Sequence, residues 1–144
     1  MQRIDAYLSD YAAYHQTRGN IACHFVGIPL IVYSIIAFFL QLRLNSMITA
    51  ADILIAVSFL FYATLDLRLA ILMLISTALL DLLGRSVGSP LIAVVAFVVG
   101  WVFQGIGHAV FEKKSPAFLR NLIHLMVGPI FLLNELFHFR TAAA

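Results

Sequence analysis

The chain has 144 residues, the size of one domain, and 62% of them are hydrophobic. Only 11% are charged, against about 25% in soluble domains, and the mean hydropathy is +0.99. Such a chain cannot cover a water-exposed surface, so we expect a membrane protein. The net charge of +2 is too small to suggest nucleic-acid binding. Because Cys23 is the one cysteine, an intrachain disulfide and a thiolate metal cluster are excluded.

Residues 1–19 are predicted to be an interfacial segment whose amphipathic helix, from Ile4 to His15, lies at the membrane interface. Apolar and aromatic side chains recur at helical spacing between Ile4 and Tyr14. The segment has no continuous apolar core or cleavage site of a secretion signal. A break follows at residues 17–20, where Asn20 can cap the next helix.

Five apolar segments come next and predict an all-α, multi-span transmembrane helical bundle, with residues 1–144 forming a single membrane domain. The second and third segments are short for a membrane crossing. The predicted spans lie near residues 21–42, 50–65, 67–83, 91–112 and 122–139.

The basic residues predict the orientation of this bundle. With five spans, one face carries six of them, namely Arg3, Arg18, Arg68, Lys113, Lys114 and Arg120. The opposite face carries three, namely Arg43, Arg85 and Arg140. Because basic residues accumulate on the cytoplasmic side, we expect a cytoplasmic N-terminus.

This topology brings four of the five histidines to the cytoplasmic face: His15, His24, His108 and His124. His138 is fourteen residues beyond His124, roughly 21 Å along a helix, and belongs near the opposite face. Burying several polar rings in an apolar chain costs free energy. A bound metal ion is the leading candidate to compensate for that cost.

Gln104, His108 and Glu112 are spaced four residues apart and form one polar stripe on an otherwise apolar helix. Such a stripe faces the interior of a bundle rather than lipid. In the catalytic interpretation, His108 binds the metal, and Gln104 and Glu112 bind it too or orient the ligands. In the structural interpretation, the stripe is a buried hydrogen-bond network that holds helices together.

Four further residues are candidates for the site, each with an ordinary structural alternative. Asn121 shares a helix face with His124, so it either orients a ligand or substrate or caps the fifth helix. Trp101 either lines a substrate cavity or packs in the core. Arg18 either steers an anionic head group or only sets topology. Asn20 is a candidate substrate-binding residue as well as a helix cap.

Three blocks of the sequence resemble the Mpo-type 2-hydroxy fatty acid dioxygenase family. They are Tyr14-His15, Gly19-Asn20, His24 and Gly27-Ile28-Pro29; Trp101, Gln104, Gly107-His108, Phe111-Glu112 and Ser115-Pro116-Ala117; and Asn121, His124, Gly128-Pro129, Phe131 and Glu135. The resemblance extends over nearly the whole chain, although residues 32–99 match only in being hydrophobic.

The resemblance implies a small multi-span protein that depends on Fe(II), with a 2-hydroxy fatty acid and dioxygen as its substrates. The fatty acid would lose one carbon by alpha-oxidation. We therefore expect His15, His24, His108 and His124 to bind one Fe(II), for which imidazole is a suitable ligand. In fungi the family acts in the endoplasmic reticulum; this shorter sequence is typical of a bacterial inner-membrane homologue.

Two other functions remain open on the sequence alone. Paired histidines on facing helices are also used to bind haem in membrane electron carriers. A small proton or metal transporter would need polar residues through the full depth of the membrane. The polar residues here concentrate at one side, which favours an enzyme site over a transport path.

Overall fold

The computed structural model describes residues 3–119 and 121–139, with the side chain of Ala117 excepted. Arg120 and Arg140, which entered the charge count, lie outside the described residues. Within these residues the chain is helical, and the extended structure is limited to one bridge between Arg43 and Thr49. The all-α fold class is confirmed.

Six α-helices follow one another along the described chain, with a π-helical turn after the fifth and a 3-10 turn before the sixth. They are α1 (Arg3–Ala12), α2 (Arg18–Leu40), α3 (Ala50–Ala63), α4 (Leu67–Val87), α5 (Pro90–Ile106), the π turn (Gly107–Glu112), the 3-10 turn (Ala117–Leu119) and α6 (Ile123–Phe137).

Among the described residues, three helical segments are long and apolar enough to cross a membrane: α2, α4 and the continuous segment Pro90–Glu112. The helices α3 and α6 are apolar but shorter. The number of crossings and the single membrane domain stay predictions. The chain divides into two compact units, the first formed by Met1–Ile28 with Trp101–Ala144 and the second by Pro29–Gly100.

In the first unit, α1 packs against α6. The amphipathic pattern of α1 explains this packing, because it buries Ile4, Leu8 and Tyr11, which follow one another at helical spacing. A Cβ atom at Gly128 of α6 would lie 2.9 Å from the Tyr11 hydroxyl oxygen. The glycine therefore permits the close approach of α1, which ends just before His15.

In the second unit, α3 packs against α4 and polar side chains fix the helix starts. The Asp52 carboxylate accepts hydrogen bonds from the backbone N–H and hydroxyl of Thr49, both at 2.7 Å, at the start of α3. Asp66 accepts from the backbone N–H of Leu69 at 3.0 Å at the start of α4. Arg85 then bridges Asp52 at 2.8 Å and Asp81 at 2.7 Å.

Candidate metal centre

Three histidines from three different elements meet in the first unit. His15 follows α1, His24 lies in α2 and His108 lies in the π turn. Each side chain is between 1% and 4% exposed, so all three imidazoles are withdrawn from solvent. Their ring centroids are 4.4–5.0 Å apart and the ring planes cross at 73–85°. One nitrogen of each ring lies within 4.8 Å of the others, which is close enough for one metal ion.

Hydrogen bonds to the backbone fix which nitrogens of His15 and His24 carry protons. His15 Nδ1 lies 2.7 Å from the carbonyl oxygen of Tyr11, and His24 Nδ1 lies 2.9 Å from that of Asn20. A carbonyl oxygen only accepts, so both Nδ1 atoms must donate. In the neutral rings, each Nε2 then presents a lone pair. These two Nε2 atoms face each other at 3.0 Å, and either a shared proton or a metal ion bound by both would remove the repulsion between their lone pairs.

The residues fit a bound metal ion. At a metal–nitrogen distance of about 2.1 Å, two ligands at right angles lie about 3.0 Å apart, which is the separation of the His15 and His24 Nε2 atoms. His108 Nδ1 is buried without a hydrogen-bond partner among the described residues. Leaving it unpaired costs free energy, and the cost disappears if His108 binds a metal.

His15 is held in its neutral form by its surroundings. Burial lowers the pKa of its imidazole to about 3, and the neighbouring His24 contributes in the same direction. The ring of Tyr11 stacks on it, with centroids 3.9 Å apart and planes 4° from parallel. The neutral, fixed imidazole is the form that binds a metal ion.

Glu112 connects the chain segments that carry the three histidines. Its carboxylate accepts hydrogen bonds from the backbone N–H groups of Gln16 and Thr17 at 3.1–3.2 Å, from the Thr17 hydroxyl at 2.9 Å and from the Asn20 amide at 3.1 Å. Gln16 adjoins His15, and Thr17 immediately precedes α2. The carboxylate thus binds the N-terminus of α2, where negative charge is favoured, and ties it to the π turn.

Asn20 and Gly107 allow α2 and the π turn to approach closely. Asn20 is fully buried, and its amide donates to Glu112 and to the Tyr14 carbonyl oxygen at 3.3 Å. A Cβ atom at Gly107 would lie 2.4 Å from Asn20 Oδ1 and 3.1 Å from Cys23 Cβ. Only glycine leaves this space, and His108 follows it directly. π turns recur at functional sites, since they redirect side chains within a helix.

His124 is buried but lies outside the group of three. Its Nε2 is 2.8 Å from the Asp10 carboxylate, to which the ring donates. Its other nitrogen, Nδ1, is buried without a hydrogen-bond partner within the described residues. An imidazole whose N–H is held by a carboxylate and whose second nitrogen is free resembles a metal ligand with its orienting partner. Its predicted role as a ligand therefore stays a prediction.

The other candidate residues differ in their burial and in their contacts. Gln104 is buried one turn before His108, and its amide nitrogen has no partner among the described residues. Asn121 is exposed and accepts from the backbone N–H of Ile123 at 3.1 Å, the turn before α6. Trp101 packs edge-to-face on Phe118, with centroids 5.4 Å apart.

Two residues singled out in the sequence lie at the surface. Arg18 is exposed at the first position of α2 and forms no ion pair within the described part of the chain. His138 is exposed and follows α6 in a left-handed conformation at φ 53°. The polar stripe, by contrast, is buried at Gln104, His108 and Glu112, as its spacing predicts for a side that faces the protein interior.

Two residues at the site were not predicted from the sequence. Tyr11 precedes His15 by four residues, so helical spacing alone could have placed the two on one face of the helix predicted from Ile4 to His15. Asp10 belongs to the polar side of the same helix, but its pairing with His124 bridges 114 positions of sequence and leaves no local signal.

These features define a class: a helical membrane protein with a buried cluster of imidazoles that could hold a metal ion. A sequence model of the family described as "2-hydroxy-palmitic acid dioxygenase Mpo1-like" matches residues 1–140. The chain therefore belongs to this family, and the resemblance seen in its motifs is confirmed.

Among curated proteins, the chain is similar to the 2-hydroxy-palmitic acid dioxygenase MPO1 of Saccharomyces cerevisiae. The two are 29% identical over 143 residues, which cover 92% of this chain and 78% of the yeast protein. No solved structure matches the chain significantly. Family membership thus supports an oxygenase that acts on 2-hydroxy fatty acids, at the level of the family.

Proposed function

We propose that this protein is an Fe(II)-dependent dioxygenase that converts 2-hydroxy fatty acids to fatty acids one carbon shorter. The observation that carries the proposal is the pair of Nε2 atoms of His15 and His24. They face each other at 3.0 Å while both Nδ1 atoms donate to carbonyl oxygens. Both lone pairs are therefore available to one cation. The family membership supplies the reaction class and the type of substrate.

Three imidazoles would hold the metal in this proposal: His15, His24 and His108, with His124 as the proposed fourth ligand. Neutral nitrogen ligands suit iron. Bound Fe(II) would orient the substrate and dioxygen and pass electrons from the one to the other. With three or four protein ligands, coordination positions stay free for substrate.

The chain's own polar groups have defined tasks around this centre. Glu112 binds the N-terminus of α2 and so fixes the directions of His15 and His24. The amide nitrogen of Gln104 lacks a hydrogen-bond partner among the described residues. We propose that it donates a hydrogen bond to the substrate or to a metal-binding side chain. Asn20 places the carbonyl oxygen that accepts from His24, and Asn121 shapes the start of α6.

The substrate's carboxylate would be attracted by Arg18, which is exposed at the start of α2. The preceding residue, Thr17, donates a hydrogen bond to Glu112. Arg18 therefore lies next to the chain segment that the Glu112 carboxylate holds in place. Trp101 belongs to the same compact unit and is the candidate wall for the acyl chain.

The proposed reaction balances without a further reductant. A 2-hydroxy acid, R–CH(OH)–COOH, and one O2 yield R–COOH, CO2 and H2O. The bond between the first and second carbons breaks, the second carbon is oxidised to a carboxyl group, and dioxygen is reduced. The substrate supplies all four electrons, which is consistent with a site that offers imidazole, carboxylate and amide groups.

The same geometry argues against haem as the cofactor. Two imidazoles that bind haem iron from opposite faces have nitrogens about 4 Å apart, at metal–nitrogen distances of about 2.0 Å. The Nε2 atoms of His15 and His24 are 3.0 Å apart, and their ring planes are nearly perpendicular at 81°. A porphyrin plane does not fit between them.

We also propose that the centre lies at the cytoplasmic face of the bacterial inner membrane, or of the endoplasmic reticulum in a eukaryotic host. The support is the excess of basic residues on the predicted N-terminal side. Reporter fusions at residue 1 and at the loop between α4 and α5, residues 88–89, should report opposite sides. The same side for both would overturn this orientation.

The function is tested with protein purified anaerobically in detergent. We expect about one iron per chain after loading, and with 2-hydroxypalmitic acid and O2 a fatty acid one carbon shorter plus one CO2. His108→Ala should lose both iron and turnover. His138→Asn is the matched control, because this histidine is exposed and asparagine tolerates its left-handed backbone. Full turnover by His108→Ala, or a product of unchanged length from the wild type, would refute the proposal.

A further inference from the structure

The second compact unit contains a polar cavity of about 450 Å³ that the metal centre does not use. It is formed by the loop between α2 and α3 and by the last turns of α4. Its lining residues are Leu40, Gln41, Arg43, Asn45, Ser46, Met47, Thr49, Gly84, Arg85 and Gly88.

In the predicted topology, the cavity lies at the depth of lipid head groups. Two segments that are long and apolar enough to cross a membrane end beside it, α2 at Leu40 and α4 at Val87. Beyond these ends a transmembrane helix leaves the hydrocarbon layer and enters the polar interface. A cavity here is reached by the phosphate groups of the bilayer.

Local hydrogen bonds hold the loop over the cavity in one shape. Asn45 Oδ1 accepts from the backbone N–H groups of Met47 and Ile48 at 2.7 and 2.8 Å, and Leu44 N donates to the Ile48 carbonyl oxygen at 2.9 Å. Within the described residues, Ser46 Oγ and Asn45 Nδ2 form no hydrogen bond. Two donors at the cavity are therefore available to a ligand.

The charges at the cavity leave one cation without a counterion in the described part of the chain. The lining contains two arginines and no carboxylate. Arg85 is paired with two carboxylates, Asp52 at 2.8 Å and Asp81 at 2.7 Å, so this group of three has one excess negative charge and no cation to spare for a ligand. Arg43 has no ion pair or hydrogen bond from its guanidinium among the described residues. One free guanidinium and two neutral donors suit an anion with a single negative charge.

We propose that this cavity binds the phosphodiester group of a membrane phospholipid, with Arg43 as its main contact. A phosphodiester carries one negative charge, for which Arg43, without an ion pair among the described residues, is the available partner in the lining. Leu40 and Met47 supply the apolar part of the lining, against which the glycerol end of a lipid can pack. A guanidinium binds phosphate oxygens through charge-assisted hydrogen bonds, often two at once.

The test is titration of the purified, delipidated full chain with phosphatidylglycerol, measured by native mass spectrometry. Arg43→Gln should weaken binding by about tenfold, the loss expected for a charge-assisted contact. Arg68→Gln is the matched control, because Arg68 is exposed in the same unit but does not line the cavity; its affinity should change less than about twofold. Ser46→Ala removes one exposed donor and should weaken binding by a few-fold.

Inorganic phosphate forms the second arm of the experiment and distinguishes a lipid from a free anion. We expect it to displace phosphatidylglycerol only at concentrations far above those of the lipid. Equal lipid affinity of the wild type and Arg43→Gln would overturn the proposal, as would equal losses in Arg43→Gln and Arg68→Gln. Phosphate binding as tight as lipid binding would overturn the lipid assignment. If Arg43→Gln does not fold, an unchanged affinity of Ser46→Ala contradicts the proposal, and a weakened one supports it.

Discussion

At the scale of single residues, the direction of each N–H group decides what the imidazole cluster can bind. Two backbone carbonyl oxygens take the protons of His15 and His24, so the facing nitrogens of these rings carry lone pairs. The same two rings with reversed tautomers would present protons and repel a cation. The chemistry of the centre thus depends on Tyr11 and Asn20, whose carbonyl groups select the tautomers.

The role of Glu112 gives the first prediction at this scale. Glu112→Gln keeps the size of the side chain but replaces a charged oxygen with an NH2 group, which cannot accept from Thr17 or Asn20. Because residues that orient metal ligands typically affect affinity by about 10–100-fold, we expect Fe(II) affinity to fall within that range. Glu135→Gln, a half-buried glutamate of α6, is the control. Affinities of the two variants within twofold of each other would contradict a positioning role for Glu112.

The sequence predicted which residues belong to the site, but it did not predict their hydrogen-bond partners. The spacing of Gln104, His108 and Glu112 correctly placed all three on a buried face. What Glu112 binds was not predictable, because its partners lie 92–96 positions away in sequence. Such pairings depend on how helices pack, and a single sequence carries no local trace of them.

At the scale of elements, the π turn at Gly107–Glu112 brings His108 and Glu112 to the start of α2. The apolar pattern predicts an ordinary helix as far as Glu112, since such a pattern does not distinguish a π turn from an α-helix. The turn closes with Lys113 in a left-handed conformation, φ 53°. The helices themselves were predictable, because long apolar runs between Gly, Pro and polar loops have few other structures in a membrane.

Two glycines in this region give a prediction with an internal control. Gly107→Ala would put a methyl group 2.4 Å from Asn20 Oδ1, whereas Gly105→Ala meets no atom within 4 Å. We expect Gly107→Ala to lower the free energy of unfolding by about 1–3 kcal/mol, the cost of overpacking. Gly105→Ala should leave it unchanged or raise it by up to about 1 kcal/mol, since alanine favours a helix. Denaturant unfolding followed by circular dichroism compares the two. Equal effects would mean that Asn20 and Gly107 are not tightly packed.

At the scale of the whole molecule, burial of His15 links stability to pH. The pKa of its imidazole is about 3 in the folded protein, against 6.5 for an unperturbed histidine. Between these values the unfolded chain binds a proton that the folded chain does not. Titration of His15 therefore leaves the free energy of unfolding unchanged above pH 6.5. As the pH falls from 6.5 toward 3, it lowers that free energy by up to about 1.4 kcal/mol per pH unit.

This pH dependence is measured on metal-free protein by thermal unfolding between pH 4 and pH 8. His15→Asn, which cannot titrate, should flatten the decrease below pH 6.5, and His138→Asn should leave it as in the wild type because His138 is exposed. Identical slopes for the wild type and His15→Asn would show that His15 is accessible to protons in the folded state.

Metal binding should also determine the stability of the whole molecule, because three elements converge on the cluster. A metal that binds only the folded chain stabilises it by about 2.7 kcal/mol at a hundredfold excess over its dissociation constant. We expect the Tm of the wild type to rise with Fe(II) concentration under anaerobic conditions and to return after chelation. His24 is one of the proposed ligands, so His24→Ala should abolish the rise. His138→Asn should keep it, which separates ligand loss from a general effect of removing a histidine. A concentration-dependent rise that persists in His24→Ala would place the metal elsewhere in the chain.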